Sequence, residues 1–289
     1  MKQEHWPTGM IERNNIIPMK TIAITGASSG IGKEAAKLFV THGWRVAATM
    51  RKPGSEKELS ELEGVKLYEL DVTDTLSIQQ CAKSILKDHQ GIDIVLNNAG
   101  YGLVGPFEAA TPEQIQRQFN TNVFGLMEVS RAFLPYFRSK RAGMLINVSS
   151  LGGLITYPFT SLYHSSKWAV EGFSESLSFE LGELGIQVKL IEPGAVSTDF
   201  SGRSMDFAMP NDLPDYGPPV QKFLDAQKNS DRVPATPEEI AQGIYEAATD
   251  GKQQLRYLLG DAPHTIKVRK EAGDDEFIAA MKARIFDTP

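Results

Sequence analysis

The chain has 289 residues, 41% hydrophobic and 23% charged, with a formal net charge of -6. Those proportions exclude global disorder and fibrous repeats, and an acidic balance without a clustered basic face argues against a nucleic-acid partner. The single Cys81 excludes an internal disulfide and fits a reducing, cytoplasmic setting, while no apolar run approaches the ~20 residues that span a bilayer.

Residues 1–18, MKQEHWPTGMIERNNIIP, mix charges of both signs with Pro and Asn. They lack the apolar core of a signal peptide and read as a flexible extension. Regular patterning begins at residue 19, and 19–289 reads as a single domain, a length that one α/β core can accommodate. Short apolar, β-branched runs recur at 20–25, 44–50, 65–70, 92–98, 144–150, 186–194 and 255–260. These predict buried strands. Between them the apolar residues follow a helical period, as in Ile115, Phe119, Val123, Leu126, Phe133 and Phe137, which predicts one helix over 111–139. Alternating strand and helix imply right-handed crossovers and a mostly parallel sheet of about seven strands, covered by helices on both faces. Thr111-Pro112-Glu113-Gln114 and Thr236-Pro237-Glu238-Glu239 each offer an N-cap threonine, a first-turn proline and a capping-box partner. The segment from about 196 to 234, rich in Pro, Asp, Met and Phe, breaks the alternation. Long connections of that kind are often lids.

The first strand runs directly into Thr25-Gly26-Ala27-Ser28-Ser29-Gly30-Ile31-Gly32 and then a helix. Glycines at a strand-to-helix junction let the backbone approach a pyrophosphate, and the helix start offers free N–H groups and a positive dipole. Gly26, Ser28, Ser29, Gly30, Ile31 and Gly32 are therefore candidate phosphate-binding residues. At the end of the second strand, where an acidic residue would hold a ribose 2′-hydroxyl, the sequence reads Met50-Arg51-Lys52. With two cations and no carboxylate, Arg51 favours a 2′-phosphate and hence NADP, with NAD as the alternative; otherwise the two cations are solvated turn charges.

In LYHSSKWAV, residues 162–170, Tyr163 and Lys167 stand four apart on one helical face. A phenol titrates near ~10 and a lysine near ~10.4, so neither alone exchanges a proton at neutral pH. Bringing a tyrosine to ~7 takes about 4 kcal/mol of preference for the phenolate. A cation ~5 Å away supplies roughly 3 kcal/mol at an effective dielectric of 20, and under ~1 kcal/mol in bulk water. The pair works only if shielded from solvent, and burial by itself pushes the tyrosine the wrong way.

The ordered set TGASSGIG (25–32), NNAG (97–100), Asn122, Ser150, YHSSK (163–167) and PGAVST (193–198) resembles the short-chain dehydrogenases/reductases over about residues 20–200. The TMRKP turn and the RYLLG strand resemble the branch containing steroid and retinol dehydrogenases. The resemblance implies an α/β fold of Rossmann type, a doubly wound parallel sheet in a single domain, and a nicotinamide-dependent oxidoreductase. It makes Ser150, Tyr163 and Lys167 catalytic, with Asn122 supporting a proton relay. It sets Asn98, Ala99 and Gly100 beside the cofactor ribose, with Tyr163 and Lys167 also touching the cofactor. Pro193, Gly194, Val196 and Thr198 would meet the nicotinamide carboxamide and phosphates. Asp71 and Val72 would face the adenine, unless Asp71 simply caps the following helix. Association as a homodimer or homotetramer would use the helices at 111–139 and 161–184.

For a small-molecule substrate, Leu151, Tyr157, Phe159 and Phe200, with Ser150 and Tyr163, suggest an apolar wall, joined by Met205, Phe207, Met209, Leu213 and Tyr216 of the lid. Alternatively these residues only pack the lid onto the domain. The five histidines show no metal-ligand spacing, so no catalytic metal is expected; His164 points about 100° away from Tyr163 on its helix and is expected to be structural. Together these features predict an NADP-dependent enzyme interconverting an apolar or aromatic carbonyl and its alcohol. The alternatives are an NAD-preferring alcohol dehydrogenase and a non-catalytic nucleotide-binding redox sensor.

Overall fold

The computed structural model describes residues 19–197, 205–209, 212–230 and 232–286. The expected extension at 1–18 lies outside them. Among the described residues the strands are β1 (Thr21–Thr25), β2 (Arg45–Met50), β3 (Val65–Glu69), β4 (Ile94–Asn97), β5 (Gly102–Val104), β6 (Gly143–Val148), β7 (Ile186–Pro193), β8 (Met205–Phe207) and β9 (Arg256–Leu259). The seven runs predicted from the sequence form one sheet in the order β3-β2-β1-β4-β6-β7-β9, parallel throughout. β5 and β8 pair separately.

The helices are α1 (Gly30–Thr41), α2 (Thr75–His89), α3 (Pro112–Phe119), α4 (Gly125–Lys140), α5 (Ser161–Gly182), α6 (Gly217–Lys228), α7 (Pro237–Thr249) and α8 (Ala262–Phe286). Strand alternation sends Ile22 and Ile24 to one face, where they meet Ala35, Phe39, Ile240 and Ile244 of α1 and α7. Ala23 goes to the other face with Ile85, Phe133, Phe137 and Leu177 of α2, α4 and α5. With both faces covered, every residue of β1 and β4 is buried, which is why those strands read as unbroken apolar runs. The fold is a doubly wound α/β sheet of Rossmann type. Strand order reverses between β1 and β4, and a crevice opens at their carboxyl ends.

Both predicted capping boxes form. The Gln114 amide N–H donates to Thr111 Oγ1 at 3.2 Å while Gln114 Oε1 accepts from the Thr111 N–H at 3.1 Å, and Thr236 and Glu239 repeat the pattern. The single helix expected over 111–139 is corrected to α3 and α4 joined by a π-helical turn at Asn120–Phe124. Such a turn widens the backbone spacing by one residue and is invisible to a 3.6-residue pattern. The connection at 196–234 is no bare loop either, since its described residues carry β8 and α6.

One lysine ties the distal edge of the sheet. Lys189 on β7 is 1% exposed, and its Nζ donates to Ala247 O at 2.6 Å, Asp250 Oδ1 at 2.8 Å and Tyr257 Oη at 2.9 Å. A buried ammonium is stable only with such a full set of acceptors. Lys189→Met should take the ammonium from Asp250, which keeps the Tyr257 hydroxyl and the Lys252 N–H as donors, and from the Ala247 carbonyl, and cost about 3 kcal/mol, read as a lower urea midpoint at an unchanged slope.

Candidate active site

The crevice at the switch point continues into a cavity of about 900 Å³. Its floor is the junction of β1 and β4. Thr25 Oγ1 accepts from the Asn98 and Ala99 backbone N–H groups at 2.9 and 3.0 Å. The Asn98 side-chain amide donates to the carbonyls of Thr25 at 2.9 Å and Gly26 at 3.2 Å. Asn98 thus braces the glycine turn as well as lining the cavity.

Gly26 has φ 67° and Gly30 has φ 54°, and a Cβ on Gly26 would lie 3.0 Å from Ala99 Cα. Both conformation and space call for glycine. Gly32 does not face the cavity; a Cβ there would strike the Asn98 amide and come within 2.6 Å of Gly26 O, so it serves close packing. The Ser29 side chain makes no capping bond and the first turn of α1 carries no acid. Its backbone N–H groups are thus open to an anionic ligand.

Ser28, Ser29, Ile31, Arg51, Asp71, Val72, Gly100, Pro193, Gly194 and Val196 also border the cavity. Thr198 and Phe200 lie outside the described residues. Asp71 Oδ1 accepts from the Thr73 backbone at 2.9 Å and from its hydroxyl at 2.7 Å, while Asp74 caps α2. Asp71 therefore shapes the turn ahead of the helix cap.

The opposite wall carries Ser150, Tyr163 and Lys167. Burial pushes the Tyr163 phenol up, and a hydrogen bond with the Ser150 hydroxyl pulls it partly back. Lys167 is 7% exposed; its Nζ donates to Val148 O at 2.9 Å and stands 5.9 Å from the Tyr163 ring centroid. Burial lowers its pKa to about 8, partly opposed by Glu171. Ammonium and neutral amine are thus both accessible near neutral pH.

Asn122 sits in the π turn behind this wall, 2% exposed. Its Oδ1 accepts from Tyr101 N at 3.0 Å, and its Nδ2 donates to Tyr101 O at 2.8 Å and Ser166 Oγ at 3.1 Å. The side chain spends these bonds on the 99–101 loop and on α5, and none reaches Lys167. His164 has the structural place expected of it: Nδ1 lies 2.7 Å from Gly152 O and Nε2 accepts from Tyr157 N at 3.2 Å. That pattern fits the neutral Nδ1–H tautomer, and burial lowers the pKa accordingly.

The expected substrate wall is corrected in part. Leu151, Tyr157 and Met205 border the cavity. Phe159 instead packs on Phe223 and Phe286, with centroids 5.5 and 6.2 Å away, and its φ of 57° turns it from the wall. Phe207 and Met209 are exposed, and Tyr216 is occupied with Glu108 at 3.0 Å. The wall is completed by Phe223 and Ala226 of α6 and by Met281 and Ile285 of α8, which no sequence motif marked. Arg232 was also missed; it donates to Tyr157 Oη at 3.0 Å and Thr265 Oγ1 at 3.1 Å and pairs with Asp261 at 2.7 Å. Among the described residues no cluster of three or more His, Cys, Asp or Glu could hold a metal.

Residues 20–207 match the family model described as short chain dehydrogenase. The chain is 32% identical over 265 residues to 3-ketodihydrosphingosine reductase of Bacteroides thetaiotaomicron, covering 92% of this chain and 97% of that one. It is 34% identical over 255 residues to retinol dehydrogenase 8 of Bos taurus, covering 82% and 80%. A solved short-chain dehydrogenase from Streptomyces avermitilis superposes with a TM-score of 0.77 at 32% identity, covering 91% and 98%.

Because Asn122 holds both the N–H and C=O of Tyr101, Asn122→Ala should cost about 2–3 kcal/mol. The loss should appear as a lower melting temperature, with faster amide exchange at Tyr101.

Proposed function

The chain belongs to the short chain dehydrogenase family, and from that premise we propose that it interconverts a carbonyl and an alcohol using NADP(H). The observation that carries this reading is the convergence of Ser150, Tyr163 and Lys167 on one cavity whose other end is a glycine turn and an uncapped helix start. That end suits a dinucleotide: the left-handed Gly26 and Gly30 admit a pyrophosphate close to the backbone, and the first-turn N–H groups can receive it. Arg51 borders the cavity at the end of β2 and would pair with a 2′-phosphate.

When bound, the nicotinamide supplies or accepts the hydride. The chain's own part is the proton and the oxygen. Ser150 donates a hydrogen bond to the substrate oxygen and aims it at Tyr163. In reduction, Tyr163 Oη gives its proton to that oxygen; in oxidation, its phenolate takes one from the alcohol. Burial raises the phenol, which suits the acid role but opposes the base role. The Lys167 ammonium, 5.9 Å from the ring centroid on the same buried wall, would offset this by stabilising the phenolate, and it would also hold the cofactor ribose. Asn122 acts at one remove, fixing the loop and the helix turn between which Lys167 stands. The wall of Leu151, Phe223, Ala226, Met281 and Ile285 suits a substrate with an extended apolar body, in keeping with relatives named for ketodihydrosphingosine and retinol.

Turnover of NADPH and NADH with aliphatic, aromatic and long-chain carbonyls tests the reading directly. Tyr163→Phe should lower kcat by roughly 10²-fold or more; full activity in that variant would sink the mechanism. Loss of the Lys167 proton as pH rises through about 8 should lower kcat/KM on the alkaline side. Arg51→Ala should weaken NADPH by roughly tenfold and leave NADH nearly unchanged, and equal losses for both would remove Arg51 from the 2′-phosphate site.

A further inference from the structure

One turn beyond Lys167 on α5, outside the cavity wall, two carboxyl side chains meet inside the protein. Glu171 of α5 is 5% exposed and Glu192 of β7 is 0% exposed. Both depend on one cation, Arg256 of β9. Its Nε lies 3.1 Å from Glu171 Oε2 and 3.3 Å from Glu192 Oε1, while its Nη2 reaches out to the half-exposed Glu175 at 2.5 Å. A single N–H is thus offered to two carboxyl groups. Glu171 Oε1 and both oxygens of Glu192 are buried without a hydrogen-bond partner, although the two carboxyl groups converge on the same Arg256 Nε. Packing closes the site: a Cβ on Gly153 would sit 2.9 Å from Glu171 Cγ and 2.7 Å from Ser149 Oγ.

Two buried carboxylates cannot both stay ionised beside one shared donor. A proton between them supplies the missing donor and restores the charge balance. Lys167 and Arg256 then face Glu171 and Glu175, two positive charges against two negative. We propose that Glu171 and Glu192 share one proton, with Glu192 the neutral member, and that Glu171 thereby remains the carboxylate that holds Lys167 as an ammonium. The first half stands on the geometry of the cluster. The second rests on the proposed role of Lys167, four residues before Glu171 on the same helical face.

The neighbours agree with the assignment. The charged groups acting on Glu192 are Glu171 from α5 and Arg256 from β9, and burial, followed by Glu171, raises the Glu192 carboxyl to about 8 against the pull of Arg256. Just after β6, next to the turn at Leu151–Gly153, the uncharged Ser149 hydroxyl comes close to Glu171. On the other side, Glu171 is the group that raises the pKa of Lys167 against its burial. Glu171 is a positioning residue in this arrangement, since it acts through Lys167 and does not border the cavity.

The shared proton has a consequence independent of activity. A carboxyl raised in the folded state binds a proton that the unfolded chain has already released. Its stabilisation is therefore complete below the unfolded pKa of ~4.5 and is lost as pH rises through about 8. Melting temperatures from about pH 5 to about pH 9 should show the parent chain losing stability relative to Glu192→Gln, in which an amide copies the neutral acid. A parent and variant that track each other across that range overturn the shared proton. Glu171→Gln should move the alkaline limb of the pH–rate profile down by roughly one pH unit. Glu175→Gln, which breaks another contact of the same arginine, should leave that limb in place. An unmoved limb in Glu171→Gln, or an equal movement in Glu175→Gln, overturns the positioning role. If Glu171→Gln does not fold, Glu171→Asp should move the limb the same way by a smaller step, and no movement there is equally decisive. Should Lys167→Arg leave the parent's limb unchanged, the reading of Lys167 itself fails, while the melting experiment still decides the shared proton.

Discussion

The arrangement depends on how β1 and β4 are held together where they leave the sheet. Sequential crossovers on opposite sides of β1 force the two exits apart and open a crevice. Thr25 and Asn98 stitch the exits to each other through four hydrogen bonds. That stitch fixes the glycine turn against Ala99 at a distance only glycine tolerates. It also fixes the 99–101 loop, which Asn122 grips from the other side. The cavity is therefore framed by backbone held at both ends, and α5 needs only to present its side chains to it.

The second constraint is electrostatic. Enclosing Tyr163 and Lys167 raises the one and lowers the other, and both shifts come from the loss of water. Left to burial alone, the pair would drift toward its neutral forms, a phenol beside an amine. The chain answers with local partners in place of solvent. Ser150 supports the phenolate, Val148 O receives the lysine, and the carboxylate of Glu171 favours the ammonium. The same low dielectric that makes these partners effective makes each unsatisfied group behind them costly. Lys189 meets that demand with three acceptors, and Glu192 meets it by staying neutral.

Much of this was legible in the residues. All seven sheet strands were marked by apolar, β-branched runs, and both capping boxes by their Thr-Pro starts, because these are local patterns with a fixed period or spacing. The π turn at Asn120–Phe124 escaped, since the apolar stripe passes through it with little disturbance. Phe159 was misplaced because its left-handed backbone reverses the direction expected from its neighbours. Phe223, Met281 and Ile285 were missed because they reach the cavity from helices far along the chain.

What the sequence by itself determined is the sheet, its double winding and the chemical identity of the groups that meet at its switch point. Hydrophobic period, glycine placement and an ordered set of short motifs suffice for these, since each is written in neighbouring residues. Only the tertiary structure decided the environment of those groups. It gave the Asn98 and Asn122 side chains bracing hydrogen bonds, built the apolar wall from α6 and α8, and brought Glu192 of β7 near Glu171 of α5 with one arginine between them. The reason is physical: a residue's chemistry belongs to its side chain, but its charge state and its partners depend on which distant segments exclude water from it.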